Sequence, residues 1–276
     1  MKSRKIMFKT SISIIGCGWL GTPLAERLLA RNHLVRGSTT SAEKVPELQQ
    51  RGIETYELDL SKSIPAAAGP LFRSEILFVN VPPGVRHGRS VAEYEQMMER
   101  ARSAAEAGSV KRVLQASSTG VYAGCSGNVS EMTTVEPDTR SGKAVWAAEQ
   151  VWAGFEELTI LRLAGLAGPG RRPARWVAGK TDLPDADKPV NMVHQEDCLN
   201  IIERVLHTRL RGTFNVCADR HPSRQEFYKA QCRRDGLAMP DFQEAKPGDT
   251  DYKIVDNRRL REQLGYTYRF PDPCAF

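Results

Sequence analysis

Short runs rich in apolar and β-branched residues alternate along the chain with longer stretches whose apolar positions recur every three to four residues. Ser11–Ile15 reads as a buried strand, and Leu20–Ala30 as a helix that buries Leu24, Leu28 and Leu29 and tolerates Pro23 in its first turn. His33–Arg36 and Glu54–Leu58 predict two further short strands. Glu75–Val81 (EILFVNV) is nearly all apolar, the mark of a strand covered on both faces in a parallel sheet. Val91, Tyr94, Met98, Ala101 and Ala105 keep helical spacing from Val91 to Ala107, and Gly108 closes that helix. Arg112–Ala116 and Thr159–Leu163 are strands separated by a helix around Trp146–Phe155. Strand and helix alternating at this spacing predict an α/β fold, a doubly wound parallel sheet with right-handed crossovers.

Past Gly165 the pattern changes. Gly168-Pro169-Gly170-Arg171-Arg172-Pro173 is a loop, and the later elements are mixed. Residues 1–164 therefore read as the sheet domain and residues 165–276 as a smaller substrate-facing lobe, with the strand at about 213–216 returning to the main sheet. The 276 residues are 41% hydrophobic, enough for a large α/β domain with such a lobe. No apolar run approaches the ~20 residues that span a bilayer, which argues against a membrane role. The basic start Met1-Lys2-Ser3-Arg4-Lys5 precedes apolar residues only as long as a strand, so it reads as a tail and not as a secretory signal. Six scattered cysteines without a Cys-x-x-Cys pair fit reduced thiols in the cytoplasm, and no zinc or other metal site. The net charge of +6 is spread along the chain, which speaks against nucleic acid and suits a small anionic ligand.

Candidate chemistry begins at Gly16-Cys17-Gly18-Trp19-Leu20-Gly21, set directly between a strand and a helix in the first β-α-β unit. That context makes it a dinucleotide fingerprint of the Rossmann type. Gly16 permits a tight turn, Gly18 lets backbone approach a pyrophosphate, and Gly21 lets helix pack on strand. The amides of Trp19, Leu20 and the helix start offer positive charge to the phosphates. An acid at the end of the second strand would hold the ribose 2′-hydroxyl of NAD. Here Thr39 stands in that region, followed by Thr40, Ser41 and Lys44, with Arg36 upstream. Hydroxyls and positive charge favour NADP over NAD. Asp59 is placed to contact the adenine or simply to form a turn. Asn80, Val81 and Pro82, ending the central strand, lie where ligands bind in such sheets.

With these motifs in hand, the chain resembles the extended short-chain dehydrogenase/reductase superfamily, which contains nucleotide-sugar epimerases and dehydratases. The likeness rests on the glycine motif, on Ala116-Ser117-Ser118-Thr119-Gly120-Val121-Tyr122, and on Leu161-Arg162-Leu163 leading to Gly168-Pro169-Gly170. Val190 to Asp197 and Thr213-Phe214-Asn215-Val216 also fit. The resemblance implies that Ser118 polarises a substrate hydroxyl or carbonyl. It also implies a Tyr-x-x-x-Lys pair in the next helix, where the Tyr is the acid/base and the Lys lowers its pKa. Aligned on Ala147-Ala148-Glu149-Gln150, those positions hold Ser141 and Val145. Lys143 is two residues from Val145, about 200° away around a helix. The chain is thus similar to an atypical member of the superfamily, without the catalytic pair.

Tyr122, His194 and Ser141 are the other candidate proton sources. Tyr122 reads as a packing residue and His194 as a structural one, while the Ser141 hydroxyl is a weak base without a partner. Arg171, Arg172 and Arg175 could hold an anionic substrate or form an exposed basic loop. Two functions follow. The favoured one is an NADP-dependent oxidoreductase of epimerase/dehydratase type acting on an unknown small molecule, in which Ser118 orients a carbonyl and hydride transfer belongs to the cofactor. The other is a non-catalytic NAD(P)-binding sensor or regulator. Either leaves room for a homodimer.

Overall fold

The computed structural model describes residues 10–244 and 252–276. The basic tail at Met1–Lys5 lies outside them. In chain order the strands and α-helices are β1 (Ser11–Ile15), α1 (Gly21–Ala30), β2 (Leu34–Thr39), α2 (Lys44–Gln50), β3 (Glu54–Glu57), β4 (Ile76–Val79) and α3 (Val91–Ala107). There follow β5 (Arg112–Ser118), β6 (Gly127–Val129), α4 (Arg140–Trp152), β7 (Leu158–Leu163), β8 (Gly165–Ala167) and β9 (Met192–His194). The chain closes with α5 (Gln195–His207), β10 (Gly212–Val216), α6 (Arg224–Asp235), β11 (Lys253–Val255) and α7 (Arg258–Leu264). Seven strands form one sheet in the order β10-β7-β5-β4-β1-β2-β3, flanked by helices, and two small sheets pair β11 with β6 and β8 with β9.

The α/β doubly wound architecture is the one the hydrophobic alternation calls for. Parallel strands need long crossovers, and the intervening helices supply them. Several boundaries differ from the sequence pattern. β2 starts at Leu34 and runs on to Thr39, because Arg36 to Thr39 pair with Glu54 to Glu57 of β3. The helix placed at Trp146–Phe155 begins six residues earlier, at Arg140, and stops at Trp152. The helix α2 was hidden because its seven residues are mostly polar and bury Leu48 alone.

The chain divides into two compact units. The first holds the described residues up to Ala116 together with Ala147–Thr159, and the second holds Ser117–Trp146 and the described residues from Ile160. The sequence pattern drew a single boundary at 164 instead. Two of the observed breaks fall inside β5 and β7, and the third falls inside α4. No apolarity pattern marks such breaks, because each of these elements runs through the boundary without interruption.

In the first unit, β1, β2, β3, β4 and β5 are all parallel, and β1 pairs with both β2 and β4. Ile12, Ile14, Leu24, Leu28, Leu77 and Phe78 are almost fully buried around them. Ser90 and Glu93 form a reciprocal capping box that fixes the start of α3. In the second unit, Asp197 on α5 is completely buried. It accepts hydrogen bonds from the Tyr266 hydroxyl (2.6 Å) and from the amides of Arg269 (2.7 Å) and Phe270 (3.0 Å). This one carboxylate ties the C-terminal segment to α5, and a second capping box at Ser223 and Glu226 opens α6. Among the described residues, no helix is long and apolar enough to cross a membrane.

The Asp197→Ala substitution leaves the buried Tyr266 hydroxyl and the partly buried amides of Arg269 and Phe270 without their acceptor. It should cost about 3 kcal/mol or more in urea-induced unfolding.

Candidate functional site

The first unit gathers its candidate residues at the C-terminal ends of its strands. Gly16 has φ of +103°, and a Cβ there would lie 2.4 Å from the carbonyl oxygen of Asn80. A Cβ on Gly21 would meet the Gly16 carbonyl oxygen at 2.3 Å and Ile14 Cγ2 at 3.2 Å. Both positions are closed to any side chain by backbone. Gly18 is the opposite case. It is exposed, and a Cβ there would point into open space. The turn therefore has two glycines demanded by its own packing and a third that leaves room for an incoming group. That is a cradle a larger residue would fill. The Gly21 amide that opens α1 lies just beyond it at the positive end of the helix dipole, while the Thr22 amide already donates to the Gly18 carbonyl (3.0 Å) and Pro23 has no amide hydrogen.

The neighbouring loops hold the turn in place. Asn80 donates from its side chain to the Gly16 carbonyl (3.0 Å), and its amide donates to Ile15 (2.9 Å). The Ser38 hydroxyl accepts from the Gly16 amide at 3.2 Å. Val81 offers its carbonyl to the Tyr94 hydroxyl (2.7 Å), and Arg89 reaches the carbonyls of Pro82 and Pro83. Asn80 thus acts as a clamp on the glycine turn, and the loop through Pro82 is braced from α3. Trp19 is half-buried. The Leu20 side chain is buried, so only its backbone faces the turn.

At the end of β2, Thr39 is buried and its hydroxyl accepts from the Ser41 amide (3.2 Å). Lys44 opens α2 and is exposed. Arg36 does not join them. It lies mid-strand opposite Ser13, held by Glu54 at 3.2 Å and the Ser74 hydroxyl at 3.1 Å, and so cannot meet a phosphate beyond Thr39. The two-residue strand period and the extra length of β2 account for this. Asp59 accepts from both the amide (2.9 Å) and hydroxyl (2.7 Å) of Ser61, hydrogen bonds that hold its carboxyl below the usual carboxylate range. It is a turn former here. Cys17 was not singled out by the sequence pattern, yet Gly37 exists for it. A Cβ on Gly37 would strike Cys17 Sγ at 2.5 Å. Burial pushes that thiol up to about 11, which leaves it a packing group.

The second unit holds Ser118, half-buried at the end of β5, with its hydroxyl accepting from the Gly120 amide at 3.0 Å. The start of α4 lies against this turn, since a Cβ on Gly142 would meet the Gly120 carbonyl at 2.6 Å. Ser141 and Lys143 are exposed on that first stretch of helix, whereas Val145 is buried. Tyr122 is fully buried, donating to Asn215 and accepting from Arg162, both at 2.8 Å. Burial drives its pKa upward, so it serves packing. His194 caps α5, its Nδ1 accepting from the Glu196 amide at 3.2 Å, and burial lowers its pKa below that of a free imidazole.

The structure also supplies a residue no motif pointed to. Lys253 on β11 sends its ammonium to the carbonyl of Thr119, 3.4 Å away and one residue from Ser118. Burial depresses its pKa, while Cys125 and Asp138 pull it partly back. Its separation of 134 residues from Thr119 explains why spacing could not reveal it. A cavity of about 470 Å³ in the same unit is lined by Tyr252 and Ile254, on the opposite pleat face from Lys253. Among the described residues, no group of three His, Cys, Asp or Glu side chains is placed to hold a metal ion.

The two kinds of glycine make opposite predictions. Gly21→Ala should destabilise the fold by about 2 kcal/mol or more through the clash with Gly16. Gly18→Ala should leave the unfolding free energy within about 0.5 kcal/mol of wild type. Denaturant titration of both variants checks the pair.

No protein-family model matches the chain. Protein YeeZ of Escherichia coli (strain K12) is 36% identical over 270 residues, covering 96% of this chain and 97% of YeeZ. A proposed NAD-dependent epimerase/dehydratase from Methylobacillus flagellatus is similar in structure, with a TM-score of 0.77, 29% identity, and coverage of 96% of this chain and 95% of that one. The Bordetella bronchiseptica enzyme WbmG, solved with NAD, aligns at a TM-score of 0.77 and 20% identity over all of this chain and 94% of its own. MoeE5, solved with UDP-glucuronic acid and NAD, gives a TM-score of 0.75 and 21% identity over 96% of each chain. At such identities the last two establish a shared fold. The structural neighbours are thus NAD-dependent epimerase/dehydratases and short-chain dehydrogenase/reductases, and the chain itself belongs to the family of Escherichia coli protein YeeZ.

Proposed function

We propose that this chain is a nicotinamide-dinucleotide-dependent oxidoreductase of the epimerase/dehydratase type, acting on a small hydroxylated or carbonyl substrate. One observation carries the reading. Gly16 and Gly21 are forced by backbone contact, while Gly18 keeps an open approach beside a helix N-terminus. In this proposal Gly18, Trp19, Leu20 and Gly21 hold the pyrophosphate through backbone, and Val81 and Pro82 border the dinucleotide. Asn80 acts indirectly, by holding Gly16. When bound, the cofactor supplies or accepts a hydride.

Ser118 then hydrogen-bonds the substrate oxygen, and Lys253 is the proton donor that stands in for the tyrosine of related enzymes. In reduction, the ammonium of Lys253 would pass a proton to the substrate's carbonyl oxygen, and the neutral amine would be reprotonated by water. Burial lowers the pKa of Lys253, which makes its ammonium a readier proton donor than a free lysine. The exposed Ser141 and buried Val145 could not do this work. They also support a second reading, a cofactor-binding sensor without turnover.

The choice between NADP and NAD turns on the end of β2. No carboxylate stands at Thr39, which favours NADP, but Arg36 is committed to Glu54 and Ser74, so Lys44 is the remaining cation of the original set. NAD is the cofactor present in WbmG and MoeE5. We expect NADH to bind at least as tightly as NADPH in fluorescence titration. A preference for NADPH that Lys44→Ala abolishes would instead restore NADP. Gly18→Val should weaken either ligand at least tenfold, about 1.4 kcal/mol, without lowering the unfolding midpoint.

Turnover is the test of the enzymatic reading. Across a panel of small carbonyl compounds, Ser118→Ala and Lys253→Met should each lower kcat by about 100-fold or more. Cofactor that binds but is not oxidised by any member of the panel would favour the sensor.

A further inference from the structure

A second, smaller cleft lies wholly within the second unit. About 200 Å³ in volume, it is formed by the loop from Gly168 to Pro173, the end of α6 and His194. That is room for roughly seven water-sized groups. Arg171 and Arg172 come from the loop, and Arg234 and Asp235 from the helix. The guanidinium groups of Arg172 and Arg234 both approach the Asp235 carboxylate, so the cleft keeps an excess of positive charge.

Asp235 is the unusual member. Its side chain is only 8% exposed, and it is the last residue of α6, where the helix dipole already places negative charge. A carboxylate is costly there unless it is well paired. Its pairing is poor. Arg234 Nε stands 3.4 Å from Oδ1 and Arg172 stands 3.9 Å from Oδ2, which has no hydrogen-bond partner among the described residues. Arg234 cannot swing closer without leaving Gln231, whose Oε1 accepts from it at 2.8 Å and whose amide is itself anchored on the Pro273 carbonyl. His194 is fixed as well, packed on the Phe270 ring with centroids 4.0 Å apart. Because its Nδ1 accepts from the Glu196 amide, its other nitrogen carries the proton. Rigid donors, excess guanidinium and a buried acceptor left open are arranged for a ligand that has an anionic group and a hydroxyl.

We propose that this cleft binds a small hydroxylated anion, a hydroxycarboxylate or the phosphate monoester of a polyol. Its charged group lies against Arg171 and Arg172, and its hydroxyl donates to Asp235 Oδ2. The excess of guanidinium excludes cations. The open carboxylate selects for a hydroxyl over a plain anion, because binding the latter leaves Asp235 buried and short of a donor.

Calorimetric titration without dinucleotide tests this, using glycerol 3-phosphate, glycerate, methyl phosphate and glycerol. We expect one or both of the hydroxylated anions to bind, the stronger marking the anionic group preferred, with methyl phosphate roughly tenfold weaker and glycerol showing no heat. Arg172→Ala should weaken the anions about tenfold, and Asp235→Asn should reduce the hydroxylated ones to the level of methyl phosphate. The His194 imidazole resonance should shift on binding in the wild type. Arg172 is largely exposed, so its variant keeps the fold and remains informative even if Asp235→Asn does not fold. No binding by either hydroxylated anion, equal affinity for methyl phosphate, or affinity unchanged in Arg172→Ala would overturn the proposal. Because no dinucleotide is present, each of these outcomes is independent of the cofactor reading.

Discussion

The carbonyl oxygen of Gly16 has no room for a side chain at Gly21, and the carbonyl of Asn80 has none for one at Gly16. These two backbone approaches set the geometry of the first unit. They bring the end of β1, the start of α1 and the end of β4 within contact of one another, and the Asn80 side chain closes the arrangement on the same Gly16 oxygen. Everything proposed for the cofactor rests on that corner. A helix that begins this close to a strand presents its leading amides above the strand end, and the one glycine not required by packing is the one left open.

The second unit is organised by buried polar groups rather than by close backbone approach. Asp197 gathers three donors from the C-terminal segment, and Tyr122 joins Arg162 to Asn215 in the interior. Such groups are stable only when each has its partners, so they specify one arrangement of the chain around them. Within it, Ser118 and Lys253 meet the same turn from segments remote in sequence. Asp235 departs from this completeness within a cleft, and an incompletely paired buried carboxylate there is where a ligand has most to contribute.

Most of the sheet was legible from the sequence because parallel strands buried on both faces leave long apolar runs and their helices a 3.6-residue period. Ile76–Val79 and Val91–Ala107 are plain examples. The shorter pieces were not legible. β6, β8, β9 and β11 are each three residues long, too short for any period, and α6 is polar nearly all round. The superfamily resemblance anticipated the fold, but Lys253, which lies beside Ser118's turn, was beyond its reach.

By itself, the sequence determined the α/β class, the position of the glycine turn and the residues around it, because those depend on local pattern and on backbone demands that only glycine meets. Tertiary structure alone decided which charges were still available. It paired Arg36 with Glu54, turned Asp59 onto Ser61, carried Lys253 to Thr119 and, among the described residues, left Asp235 Oδ2 without a donor. The physical reason is that a charged side chain takes its role from whatever lies within hydrogen-bonding reach. For a partner scores of residues away, only the folded chain sets that distance.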